Sequence, residues 1–473
     1  MTDHTCAPRW PLLLAGWVGV VVLLSCVPAY LVLASDRFDW SRSVADIPSV
    51  QLTVLLAAAG LVWLLLVPLV GATSRGATSL QRCVLAFVLV LGTLMRLSLV
   101  STEPALEDDS YRFLWEGALV ARGLSPYAGS PLDVLRAAAD SRLGKLAAEA
   151  GPVLDRVNHP WLASTYPPIA QAAFTFSHLL SPWDLGMWRM VCIGFDAAAM
   201  ALLLVLLAEA RRPLLWSSLY WLSPLVIKET ANSGHFDSLP VALTLAALWL
   251  AARKRPLASV VVLALATGVK FWPAALLPLL LRPMMHRPRQ LVAALFLFAG
   301  LVALWTLPVW MAEHSGLAAY ARGWSTNSAL TPLVQAAVGV LVPANIAPLL
   351  TRVIMGCAVA AVAIWISRRP IAMPEDLVQR AAIVVAAIVL LAPAQFPWYA
   401  IWLMPFLAFV PRRALLSIPV AISLYYLSFH FAAEGTYATY SYVVVWAEWL
   451  PIWLLLAHGY FSSEENSRRL QPK

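Results

Sequence analysis

Residues 107–117 read EDDSYRFLWEG. Glu107, Asp108 and Asp109 are adjacent carboxylates, and Tyr111, Arg112 and Trp115 follow at short spacing. Three neighbouring carboxylates repel one another, so their ionised forms need cations or water close by. A positioned carboxylate can act as a general base. A second group, NSGHFD, supplies His235 and Asp237. Lys270 interrupts an apolar run at KFWP, where an uncompensated ammonium is costly. TYPP supplies Tyr166, EHSGLAAYARGWSTN supplies His314, Arg322 and Asn327, and FPWY supplies Trp398 and Tyr399. Carboxylates, cations and aromatics of this kind, gathered on one side of a membrane, suit an active site better than a channel.

Each group also has a plainer role. The acids fit a solvated turn with an aromatic anchor, and Asp237 or Ser238 fits the N-cap of the next helix. Lys270 can snorkel from a helix end. Tyr166 can precede proline-led helix initiation. Trp398 and Tyr399 fit an interfacial aromatic belt. Arg322 fits a solvated loop.

The elements that must position these residues are membrane helices. The 473 residues are 61% hydrophobic and 12% charged, against about 25% charged in a soluble domain. Mean hydropathy is +0.75, and apolar runs of about 17–25 residues recur along the chain. The fold expected is an all-α polytopic membrane protein with about 12–14 transmembrane helices. The net charge of +8 reports basic loops rather than nucleic-acid binding. Five cysteines without CxxC spacing predict neither a disulfide framework nor a metal site. Basic clusters such as Arg211 with Arg212, and Arg253 through Arg255, are placed in the cytoplasm. Both termini are then cytoplasmic, and residues 101–186 form a large first extracytoplasmic loop. Interfacial helices are expected at 167–181 and along a stripe from Leu132 to Leu146. Crossings are expected at 214–231 and 398–410, and a broken pair of short helices at 256–281. The chain divides into a two-span extension (1–82), a central module (83–311) and a C-terminal transmembrane region (312–473).

EDDSYRFLWEG, then GLSPYAGSP and TYPPIAQ, resemble bacterial membrane glycosyltransferases of the GT-C superfamily, close to polyprenyl-phosphate-mannose-dependent mannosyltransferases. The stretch from SGHFD through KFWPAALLPLLL and the late FPWYAIWLMPFL are similar to the segments that follow in such proteins. The resemblance spans roughly residues 85–430. It implies a GT-C-like bundle in the bacterial inner membrane. It implies an inverting hexosyl transfer, mannose favoured, from a polyprenyl-phosphate donor to an extracytoplasmic glycan, glycolipid or protein. Asp108 and Asp109 take the acidic motif; the residue chemistry puts Asp109 as base with Asp108 orienting the acceptor or sharing the charge, and sequence alone does not separate the two. Asp237 takes a second acid, and Lys270 a basic residue at a broken helix.

The residue chemistry is compatible. A sugar hydroxyl is a poor nucleophile that needs a base. Lys270, Arg322, Arg112 and His235 can meet a leaving phosphate. Tyr111, Tyr166, Trp398 and Tyr399 can hold a sugar ring. No Rossmann glycine fingerprint is present to bind a nucleotide sugar. Asp108, Asp109 and Asp237 could hold a divalent metal, although no obligatory metal is expected. The rival readings are a transporter or flippase of polyprenyl-linked glycans, and a polymerase or ligase using a lipid-diphosphate donor.

Overall fold

The computed structural model describes residues 10–312, 316–317 and 324–469, with side chains to residue 459. His314 and Arg322 lie outside the described residues, as does Cys6. Three apolar helices come first: α1 (Trp10–Leu33), α2 (Ser49–Thr73) and α3 (Thr78–Leu97). The loop 98–184 carries α4 (Asp109–Ala121) and α5 (Pro168–Leu180). Then follow α6 (Leu185–Glu209), α7 (Ser238–Ala252), α8 (Pro256–Thr267), α9 (Pro288–Trp310) and α10 (Leu330–Gly339). The last four are α11 (Ala347–Ser367), α12 (Pro374–Leu391), α13 (Arg413–Ala433) and α14 (Tyr437–Gly459).

The protein is all-α and multi-pass. Eight helices among the described residues are long and apolar enough to cross a membrane: α1–α3, α6, α9, α11, α13 and α14. α12 has 18 residues, but Glu375, Asp376 and Arg380 occupy its first two turns. No strand occurs among the described residues, only a single bridge between Thr326 and Ala394.

Two of the expected crossings are not continuous helices. Residues 214–231 break into Leu214–Ser217, Ser218–Trp221, Pro224–Ile227 and the π-turn Lys228–Asn232. Residues 398–410 lie in the 3₁₀ segments Pro397–Trp402 and Met404–Ala408. Pro213, Pro224, Pro397 and Pro405 each remove a donor and a helical bond. Ser223 Oγ also accepts from Val226 N–H at 3.3 Å, restarting the chain. Irregular backbone survives at membrane depth only when protein surrounds it. Accordingly, residues 217–238 and 400–409 are buried throughout.

The stripe expected over 132–146 is also two helices, Pro131–Val134 and Arg142–Ala150. Ser130 forms a capping box with Asp133, and Ser141 Oγ accepts from Gly144 N–H at 3.0 Å. These local side-chain bonds outcompete a through-running helix. The helices expected near 167–181 and on either side of Lys270 are present.

The larger apolar core runs from Trp17 on α1 to Ile452 on α14. The first two spans belong to it: Trp63 Nε1 donates to Leu219 O at 2.9 Å, and Trp17 Nε1 to Thr73 Oγ1 at 2.9 Å. Between α3 and α6 lies a fully buried ion pair, Arg96 Nε to Asp196 Oδ2 at 2.5 Å. Arg96 Nη1 also donates to Trp221 O at 2.8 Å, and Tyr220 donates to Asp196. This pair ties the broken segment 214–232 to two long helices. The loop 98–184 has a second core, in which α4 and α5 meet. Phe113 and Phe174 stack at 4.8 Å, and Gly117 allows the contact, since a Cβ there would lie 2.5 Å from Phe174 O.

Candidate active site

The acids sit where the loop 98–184 enters α4. Arg189 on α6 donates to the carbonyls of Val100 (3.0 Å) and Thr102, fixing the start of the loop. Asn232 then grips it on both sides. Its Nδ2 donates to Glu103 O at 2.8 Å, and its Oδ1 accepts from Ala105 N–H at 2.9 Å. Ser110 Oγ donates to Ser233 O. Gly234 makes the tight turn beside it with φ +73°, and a Cβ there would lie 2.7 Å from Ser110 Oγ. EDD and SGHFD, far apart in sequence, are thus one structural unit.

The three acids differ in their surroundings. Asp109 begins α4, and its Oδ2 lies 3.6 Å from His235 Nε2, an ion-pair distance rather than a hydrogen bond. Asn158 Nδ2 donates to Asp109 Oδ1 at 2.5 Å and to Asp108 Oδ1 at 2.8 Å. Enclosure by itself raises a carboxyl, but His235 and Asn158 outweigh it and hold Asp109 at about 2. Asp108 opens onto the cavity. Enclosure within the cavity walls, then the charge of Asp109, raises it to about 6. Glu107 has a buried, unpartnered Oε1, and burial pushes its carboxyl well above the ordinary range. The three adjacent carboxyls are thus pulled apart: Glu107 is pushed upward, Asp108 to about 6, and Asp109 down to about 2.

His235 links the acids to the membrane core. Its Nδ1 lies 2.9 Å from Glu229 Oε2, and its ring stacks on Trp398 at 4.1 Å. Burial lowers an imidazole, but Asp109 and Glu229 outweigh it and hold His235 at about 9. Glu229 is fully buried, 3.2 Å from Lys228 Nζ, and it accepts from Tyr426. Lys228 Nζ donates to Tyr426 OH at 2.7 Å. The sequence reading missed Lys228, Glu229 and Tyr426. An adjacent Lys–Glu pair inside the apolar run 214–231 was the available signal, by the logic that singled out Lys270. Tyr426 had no such signal.

A cavity of about 1090 Å³ lies in front of the acids. Asp108, Asp109, Tyr111, Arg112, Tyr166, Lys270, Trp398 and Tyr399 all line it. Lys270 sits at the break after α8. Its Nζ lies 2.7 Å from Asp237 Oδ1, which also accepts from Trp402 Nε1 at 2.6 Å. Asp237 caps no backbone N–H with its side chain, although it occupies the N-cap position of α7. It stands behind Lys270 and does not join Asp108 and Asp109. Arg112 is committed to the chain: Nη2 donates to Asn158 O (2.5 Å) and His159 O (2.9 Å), and Nη1 to Leu162 O (3.1 Å). It brings charge to the cavity, with these donors already bound. Trp398 and Tyr399 pack in the site, not on the lipid face; Tyr399 stacks on Trp402 at 4.2 Å. Among the described residues, no group of three His, Cys, Asp or Glu side chains is arranged to hold a metal ion. Cys26, Cys83, Cys192 and Cys357 are free.

The sequence model of glycosyltransferase family 87 matches residues 165–393. An α-(1→6)-mannopyranosyltransferase A of Mycobacterium tuberculosis is 25% identical over 400 residues, covering 74% of this chain and 70% of that one. Together these matches support a GT-C-type membrane glycosyltransferase. No solved structure matches significantly. The family match takes in Tyr166, Glu229, His235, Asp237 and Lys270, and leaves Asp108, Asp109, Trp398 and Tyr399 outside it. The structure brings both sets to one cavity or directly behind its wall.

Proposed function

We propose that this chain moves a hexose, with mannose favoured by the relative's activity, from a polyprenyl-phosphate donor to an acceptor hydroxyl, with inversion at the anomeric carbon. The observation that carries the reading is the adjacent acid pair Asp108 and Asp109, held by Asn158 and lining a cavity of about 1090 Å³ that Lys270 also lines. Asp108 takes the proton from the acceptor hydroxyl. Its pKa near the working pH suits a base better than that of Asp109. The acceptor oxygen bonds to the anomeric carbon as the bond to the phosphate oxygen breaks. Asp109, fixed as an anion by His235 and Asn158, stabilises positive charge at the anomeric centre. Lys270 turns from Asp237 to meet the departing phosphate; Arg322 is a further candidate for that role. The donor's prenyl chain lies in the bilayer, the solvent this protein already occupies. Each step is assigned to this chain's own side chains. In this reading the site faces away from the cytoplasm in a bacterial cell membrane, with both termini inside, a placement that the basic loops support.

Purified protein is supplied in turn with polyprenyl-phosphate-mannose, a polyprenyl-diphosphate sugar and a nucleotide sugar, with soluble mannosides as acceptors. Mass spectrometry should find a new glycoside only with the first donor. Transfer only from the diphosphate would move the protein to the polymerase or ligase class. Movement of lipid-linked glycan without a new bond would make it a transporter.

A further inference from the structure

We infer that residues 35–47, between α1 and α2, form one wall of an acceptor groove that binds saccharide units beyond the reacting hydroxyl. The inference rests on the glycosyl-transfer reading and names the acceptor class as an oligosaccharide. The segment is built as a fixed polar loop. Ser35 Oγ accepts from Glu103 N–H at 2.8 Å, joining it to the acid-bearing loop. Arg42 Nε donates to Asp36 O at 2.8 Å, and Asp39 Oδ1 accepts from Ser41 N–H at 2.8 Å. At its tip, Trp40 is 50% exposed and lines the same cavity as the acids. The Arg156 guanidinium lies 4.8 Å from the Trp40 ring and 5.0 Å from the Tyr111 ring, and it donates to Tyr111 OH at 2.6 Å. These contacts make the first wall.

The second wall stands on the same short strap of chain. His159 meets Trp161 edge-on at 5.2 Å and Trp324 at 4.5 Å, and Trp161 is 61% exposed. Asn158, between Arg156 and His159, is the residue that holds both Asp108 and Asp109. Three nearby residues thus contact both tryptophans and both acids. An exposed tryptophan in a membrane protein is ordinarily an interfacial anchor. These two line the acid-bearing cavity, each beside a cationic or imidazole side chain. A sugar ring offers an apolar C–H face and a rim of hydroxyls. An indole face covers the first, and Arg42 and Arg156 can bond the second. A prenyl chain has no use for the charges. A peptide acceptor is typically gripped through backbone pairing, and these walls present rings and charged tips.

The test uses the full chain with a methyl mannoside and a mannotetraoside as acceptors, and tetraoside binding measured without donor. Trp40→Ala should raise the tetraoside KM about tenfold. The kcat/KM preference for tetraoside over monosaccharide should fall by a similar factor, with no matching rise in donor KM. Trp40→Phe should restore most of the loss, and Trp161→Ala should reproduce it; these two carry the test if the first variant does not fold. Equal losses on both acceptors, an unchanged tetraoside KM, or a peptide acceptor preferred over the tetraoside would each overturn the inference. Wild-type protein that binds tetraoside through Trp40 but transfers nothing from polyprenyl phosphate would instead sink the donor reading alone.

Discussion

At the scale of single residues, three acids can stand together because their surroundings pull them in different directions. Burial pushes Glu107 upward, His235 and Asn158 hold Asp109 low, and Asp108 is left near neutrality. The division gives a pH dependence with a definite sign. A base must be ionised, so transfer should fall as the pH drops through about 6, where Asp108 takes up its proton. It should fall again above about 9, where His235 loses the charge that opposes Asp109. A pH profile of kcat/KM measures both limbs, and a flat profile from pH 5 to pH 8 would exclude Asp108 as base. Much of this site was legible. EDD, SGHFD, Lys270 and FPWY are polar or aromatic breaks in apolar runs, and all of them come to the cavity or to its wall. Their division of labour was not legible, because it depends on Asn158, Arg156 and Glu229 reaching across the fold.

At the scale of elements, the broken segments hold the chemistry and the long helices hold the broken segments. The crossing expected at 214–231 is a row of short turns because prolines and Ser223 interrupt it, and burial inside the bundle makes that tolerable. Hydropathy reports that such a stretch is apolar; it carries no information on whether lipid or protein surrounds it. Arg96 and Asp196 clamp this segment between α3 and α6. Arg96→Met leaves a buried carboxylate unpaired and should cost about 3–5 kcal/mol. Thermal unfolding in detergent measures the loss, and Arg96→Met with Asp196→Leu should recover part of it. An unchanged melting temperature for the single variant would show that the pair does not hold the segment.

For the whole molecule, charge asymmetry gave a topology, and the fold adds that the first two spans share the common core while the loop between them lines the cavity. The exposed Asp140 lies in the loop 98–184, so Asp140→Cys in a cysteine-free background should react with an impermeant reagent in intact cells. Labelling only after permeabilisation would invert the scheme. The central claim is that sugar transfer occurs at the acid pair in this cavity. Its most direct measurement is single-turnover transfer from polyprenyl-phosphate-mannose by Asp108→Asn, Asp109→Asn and the double variant, with donor binding followed in parallel. Asp108→Asn should lose about 10²–10⁴ in transfer with donor binding retained, and Asp109→Asn should lose transfer as well. Near-native transfer by Asp108→Asn alone would hand the base to Asp109, and normal transfer by the double variant would contradict the claim.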